Sequence, residues 1–145
     1  MNLRSVSIAA TAVLTAAVVT LLFRRLLFAP AGVPLALQVV AGALMLWARL
    51  TFGRRSFHAG ADPTLGGIVT RGPYGLMRHP IYTATLLFVW AGVAAHGVLV
   101  GVLIAIVATA AVVVRMLAEE RLVVEIYPEY EEHAHRVKRL IPFVL

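Results

Sequence analysis

Between positions 72 and 82 the chain reads Gly72-Pro73-Tyr74-Gly75-Leu76-Met77-Arg78-His79-Pro80-Ile81-Tyr82. Gly72-Pro73 is a turn signal, because glycine permits positive φ and proline fixes it. Pro80 suits the first turn of a helix, where its missing N–H costs nothing. Arg78 and His79 then stand at a helix entrance, with Tyr82 just inside. Such an entrance presents unpaired N–H groups and partial positive charge, which favour the anionic part of a ligand. The same residue types also mark membrane boundaries without binding anything.

A second polar set runs Arg115-Met116-Leu117-Ala118-Glu119-Glu120-Arg121-Leu122. Adjacent residues on a helix diverge by about 100°, so Glu119 and Glu120 serve different directions. One can face a polar pocket while the other meets solvent or arginine. Arg115 and Glu119 are four apart, as are Arg121 and Glu125. On an exposed face each pair contributes only a few tenths of a kcal/mol. An acid at a membrane boundary is costly unless it is paired or faces a cavity, which makes a site here plausible. Downstream come Tyr127-Pro128-Glu129-Tyr130 and Arg139-Leu140-Ile141-Pro142; Pro128 ends the helix, and the two tyrosines, taken singly, read as packing residues.

The elements that must position these residues are membrane spans. Of 145 residues, 61% are hydrophobic and 14% charged, and the mean hydropathy is +0.89. A typical soluble domain is about a quarter charged, so a soluble monomer is excluded, and so is disorder. Ser5 to Phe23 gives 19 uncharged residues and Leu26 to Ala48 gives 23. His79 to Val114 is 36 residues without a fixed charge, too many for one crossing of roughly 17–25 residues and suited to two short ones. Gly92, His96 and Gly97 sit where that hairpin would turn. The pattern predicts an all-α integral membrane protein of about four transmembrane helices, the last two a tight hairpin. It forms one domain over 1–145, with two N-terminal helices in 1–50 and the motif-bearing core in 66–143. The first run exceeds a signal-peptide core and lacks a cleavage site.

Basic residues orient the chain. Arg49, Arg54, Arg55, Arg71 and Arg78 flank or fill the loop between the second and third spans, and Arg115, Arg121, Arg136, Lys138 and Arg139 follow the fourth. The positive-inside rule places the N-terminus, this loop and the tail in the cytoplasm, leaving Arg24 and Arg25 on the outer side against the rule. Six of the seven acids lie between Glu119 and Glu132, the exception being Asp62. The loop and the tail therefore hold the polar chemistry, and they must fold together if they form one pocket. The net charge of +6 is explained by these flanking residues without nucleic acid. With 12 arginines to one lysine, the composition points to a GC-rich genome and a bacterial inner membrane.

Other chemistries find no support. The chain has no cysteine, which removes disulfides, thiolate metal sites and a cysteine nucleophile. His58, His96, His133 and His135 make no H-E-x-x-H spacing and support no metal. There is no phosphate loop after a strand, no Ser-His-Asp arrangement and no basic face with interleaved aromatics.

The order Arg78-His79-Pro80-Ile81-Tyr82, a hydrophobic hairpin, Glu119-Glu120 and then the Tyr127–Tyr130 and Arg139–Pro142 tail resembles the isoprenylcysteine carboxyl methyltransferase family with its phospholipid N-methyltransferase relatives. The similarity covers roughly Gly66 to Phe143. One departure follows Tyr82, where many relatives have a glycine within two residues and this chain has Thr83-Ala84. The resemblance implies an S-adenosyl-L-methionine-dependent methyltransferase without a metal, its cofactor pocket formed by the cytoplasmic loop and the helical tail. Carried over by motif, the cofactor set is Tyr74, Arg78, His79, Pro80, Tyr82, Glu119, Glu120, Tyr130, Arg139 and Pro142. Arg115, Glu119 and Glu120 are the expected catalytic group. The acceptor would be lipophilic and enter from the bilayer, either the carboxylate of an isoprenylcysteine-like molecule or a lipid amine. A non-catalytic membrane protein keeping the motif as a clamp, or a nicotinamide-dependent membrane reductase, are the alternatives.

Overall fold

The computed structural model describes residues 2–53 and 67–141. Among these there are five α-helices and no strand: α1 Leu3–Phe23, α2 Gly32–Phe52, α3 Pro80–His96, α4 Leu99–Ile126 and α5 Tyr130–Arg136. A short 3-10 turn over Gly72–Gly75 precedes α3. Of the expected positions, Arg54, Arg55, His58, Asp62, Gly66, Pro142 and Phe143 lie outside the described residues.

α1, α2 and α4 are each long and apolar enough to cross a membrane. α3 is apolar but has 17 residues, the lower end of what a crossing takes. Large apolar side chains face outward all along these helices: Val33 is 72% exposed, Leu50 73% and Leu99 71%. In water such a surface would aggregate; in lipid it is the solvated surface. The interior is built instead from small residues. α1 buries Ala10 and Ala17, α2 buries Ala41 and Ala48, and α4 buries Ala105, Ala108 and Ala111, which lets helix backbones approach closely without a lipid-excluding driving force.

α1 packs chiefly against α4 and α2 against α3, while α3 and α4 meet along a smaller interface although only Gly97 and Val98 join them. The turn lies at Gly97, which takes a left-handed φ of 63° and closes α3 through its N–H to Val93 O at 3.1 Å. Gly92, expected in that turn, lies within α3. Its role is close approach: a Cβ there would stand 1.9 Å from the carbonyl oxygen of Leu27.

The second span begins later than its apolar run suggests. α1 ends in a Schellman-type cap, with Arg25 N–H to Leu22 O and Leu26 N–H to Leu21 O, both at 2.9 Å, and Arg25 at φ 58°. Residues 26–31 then form a connector rather than helix, and Ala29 precedes Pro30, which disfavours helical geometry. Buried Gln38 satisfies this connector: its amide oxygen accepts from Ala29 N–H at 2.9 Å, and its amide nitrogen donates to Leu27 O at 2.7 Å and Phe88 O at 3.0 Å. His96 Nε2 meets Phe28 O at 3.0 Å. Arg24 and Arg25 thus lie at the end of the bundle where α3 joins α4, opposite the polar cluster described next.

Candidate active site at one end of the bundle

The polar cluster is assembled from three stretches of chain. The Gly72–Gly75 turn is seated on the end of α2, where Phe52 and Tyr74 rings lie 5.4 Å apart. Gly72 has φ +59°, and a Cβ on it would meet Thr51 Oγ1 at 2.9 Å, so only glycine fits there. This fixes the path into Arg78 and His79. The tail returns to the same place. Arg78 N–H donates to Lys138 O at 2.8 Å, His79 N–H to Arg139 O at 3.0 Å, and Thr83 Oγ1 to Leu140 O at 2.8 Å. Thr83, at the departure from the motif, therefore holds the tail against α3.

α4 runs 28 residues, about 42 Å at roughly 1.5 Å per residue, longer than the roughly 30 Å hydrocarbon layer. Its last turns carry the acids past the apolar part. Glu120 is 7% exposed and is the centre of the cluster. Its Oε1 accepts from Arg78 Nη1 at 2.9 Å and lies 3.0 Å from His79 Nε2; its Oε2 accepts from Arg139 Nε at 3.0 Å. One buried carboxylate so ties together the helix entrance, α4 and the tail. A buried charge is tolerable only with such pairing. Arg78 is itself almost fully buried, and its Nε has no hydrogen-bond partner among the described residues.

Glu119, half-buried, points elsewhere, as helix geometry requires. Its Oε2 accepts from the Tyr82 hydroxyl at 2.6 Å. Arg115 Nε donates to the same hydroxyl oxygen at 2.7 Å, and Arg115 Nη1 donates to Thr11 Oγ1 on α1. The rings of His79 and Tyr82 stack with centroids 5.4 Å apart, so the two carboxylate networks touch.

α5 closes over the loop. Tyr130 lies beside Arg78, and the His133 ring lies beside the Tyr74 backbone. Burial, then the nearby Glu120 charge, pushes the Tyr130 phenol up to about 12. Burial and then Glu119 push the Tyr74 phenol higher still. Both remain neutral donors at physiological pH. Burial and then the Arg78 charge push the His133 imidazole below its ordinary range. An open cleft of about 450 Å³ beside the cluster is lined by Leu117, Glu120, Arg121, Val124, Glu125 and Arg139.

Of the residues singled out by sequence, Tyr74, Arg78, His79, Pro80, Tyr82, Arg115, Glu119, Glu120, Tyr130 and Arg139 gather at this end of the bundle. The helix entrance already has partners: the Arg78 and His79 amides serve tail carbonyls, and His79 Nε2 serves Glu120. Sequence reasoning missed Thr11, Thr83 and His133. Thr11 had a faint signal, since Ser7, Thr11 and Thr15 recur every four residues in an otherwise apolar helix. His133 had none.

Long apolar helices with a charge-rich cluster at one end define an integral membrane protein. The family model for phospholipid methyltransferase matches residues 31–130, more than half of the chain, and the chain belongs to that family. No curated protein and no solved structure matches it. The family is one of membrane methyltransferases acting on lipids. Among the described residues no group of His, Cys, Asp or Glu could hold a metal ion.

Proposed function

We propose that this chain transfers a methyl group from S-adenosyl-L-methionine to a lipophilic acceptor at the cytoplasmic surface of the membrane, with α3 as the fourth crossing and the isoprenylcysteine carboxyl methyltransferases as relatives. The observation that carries the reading is the Glu120 carboxylate, which fastens the helix entrance to the tail and so builds a pocket wall where two distant sequence stretches meet.

The residues present suit the donor. It bears a carboxylate, an ammonium and ribose hydroxyls. Arg78, whose buried Nε has no partner among the described residues, and Arg139 suit the carboxylate. Glu120 and Glu125 at the cleft suit the ammonium and the hydroxyls. When bound, S-adenosyl-L-methionine supplies a methyl group activated on a sulfonium. The protein's work is alignment and exclusion of water: α5 covers the loop, and Tyr74 and Tyr130 stay neutral donors. The acceptor enters sideways from lipid. A carboxylate acceptor is already nucleophilic, and Arg115 orients it. An amine acceptor must first lose its proton, and Glu119, the less buried of the two acids, takes it. Membership of a methyltransferase family weighs for this reading over a nicotinamide reductase or a non-catalytic clamp.

The test is equilibrium binding of labelled S-adenosyl-L-methionine to the detergent-solubilised full chain, with mass spectrometry of lipids incubated with both. Saturable binding and an acceptor that gains one methyl group are expected; whether it is an amine or a carboxylate follows from the product. A folded chain that binds no S-adenosyl-L-methionine, or binds a nicotinamide cofactor in its place, overturns the reading.

A further inference from the structure

Arg115 lies about one helical turn deeper into the bundle than Glu119, on the stretch of α4 that packs against α1. A guanidinium at that depth must be met by polar groups, and α1, which carries none of the motif residues, supplies one. The Thr11 hydroxyl donates its proton to Ser7 O at 2.8 Å. Its oxygen lone pair is thereby turned to receive Arg115 Nη1–H. Ser7 is fully buried, so this part of α1 is anchored in the bundle and the threonine is held in place.

The direction of the protons from Arg115 to Glu119 then follows. Arg115 Nε can only donate, and it donates to the Tyr82 oxygen. The Tyr82 hydroxyl proton goes to Glu119 Oε2 at 2.6 Å. The network runs α1 to α4 to α3 and back to α4, ending on the acid of the proposed site. We propose that Thr11 is a positioning residue for methyl transfer: by fixing the Arg115 guanidinium it orders the Tyr82 phenol, which holds Glu119 in the geometry the reaction uses. This rests on the function proposed above and adds to it a residue from the helix that the motif does not touch.

A residue that only solvates a buried charge would lower stability and nothing else. A positioning residue acting through Tyr82 lowers turnover, leaves cofactor affinity alone, and does so only while Tyr82 is present. The experiment is a double-mutant cycle on methyl transfer by the full chain in detergent–lipid micelles, with T11V, T11S, Y82F and T11V/Y82F. T11V keeps the shape of threonine and removes the hydroxyl. It should lower kcat by about tenfold to 100-fold, the scale of small misplacements in an active site, with labelled S-adenosyl-L-methionine bound as tightly as by the wild type. T11S, which keeps the hydroxyl, should recover most of the rate. T11V/Y82F should be no slower than Y82F alone. A wild-type rate in T11V, an equal loss in T11S, or additive losses in the double variant would overturn the proposal while leaving the methyltransferase reading intact. A wild-type chain that binds no S-adenosyl-L-methionine overturns both. Should T11V not fold, T11A enters the cycle in its place with the same expected outcomes.

Discussion

Glu120 and His79, 41 residues apart in sequence, meet with 3.0 Å between Oε1 and Nε2 inside a site where both are almost fully buried. The same carboxylate also receives Arg78 and Arg139. Removing it would leave the Arg78 guanidinium buried beside a histidine with no counter-charge. Loss of one partner from a buried ion cluster costs about 3–5 kcal/mol. Glu120→Ala should therefore lower the thermal midpoint by on the order of 10 °C, followed by the near-ultraviolet signal of the solubilised protein. Glu120→Gln keeps the shape and an acceptor oxygen and should fall between Ala and wild type. A midpoint unchanged in both variants would mean the cluster contributes no net stability.

The tail can be tested separately from the carboxylate. Lys138, Arg139 and Leu140 hold the helix entrance through backbone carbonyls, so side-chain replacement leaves those bonds in place and shortening does not. A chain ending at Val137 should keep the α1–α4 and α2–α3 packing, with helicity close to wild type by circular dichroism. Its methyl-transfer rate should fall by about 100-fold, the scale of misplacing reacting groups by roughly 1 Å, and its affinity for labelled S-adenosyl-L-methionine should fall with it. Affinity equal to that of the full chain would remove the tail from the pocket.

His133 gives the stability a pH dependence of known sign. In the folded chain its imidazole is held below the ordinary value of 6.5 by burial first and by Arg78 next. The unfolded chain therefore takes up the proton at higher pH than the folded one. Stability associated with His133 is fully present above about pH 6.5 and is lost as pH falls below it toward the depressed folded value. A denaturation series between pH 7.5 and pH 5 should show a decline that His133→Gln flattens, the glutamine still able to reach the Tyr74 backbone. An identical decline in the variant would assign the effect to another group.

How much of this was readable in advance divides along physical lines. Runs of uncharged residues report where lipid is, because lipid acts on every residue of a span, and so the helical class, α1, and the break before α4 were legible. The convergence of loop and tail was expected only from the order of the motifs, which the resemblance gathers around one pocket; charge alone did not require it, because Arg121 and Arg136 each have an acid four residues away. The start of α2 was not, since Leu26, Leu27 and Phe28 are as apolar as a helix in lipid, and what takes them out of helix is a cap at Arg25 together with one amide, Gln38, twelve residues beyond Leu26. The placement of Gly92 within α3 was hidden for a related reason: a glycine that ends a helix and a glycine that admits a neighbouring carbonyl look alike in sequence. Thr11 was overlooked because a hydroxyl bonded to its own helix is the common fate of threonine in a span, and only the position of Arg115 on a packed neighbour gives it another task.

That placement yields the last prediction. Gly92 and Gln38 act on the same strand of connector: the glycine makes room for Leu27 O, and the glutamine amide bonds that oxygen at 2.7 Å. Gly92→Ala forces the connector away and should cost about 1–3 kcal/mol, the usual scale of overpacking. Gln38→Leu leaves the Ala29 N–H and Leu27 carbonyl without their partner, at about 1–3 kcal/mol for each buried group unsatisfied. Because either change alone displaces the connector, the two should not add. The double variant should exceed the larger single loss by no more than about 0.5 kcal/mol, the scatter with which independent sites add, so that the coupling stands clear of it. Binding of labelled S-adenosyl-L-methionine at the opposite end of the bundle should stay within about twofold of wild type in each variant that folds, since Gln38 bonds Leu27, Ala29 and Phe88, far from the cluster. Fully additive stability losses would show that glycine and glutamine serve separate contacts, and a collapse of binding would show that the far end of the bundle is coupled to the site.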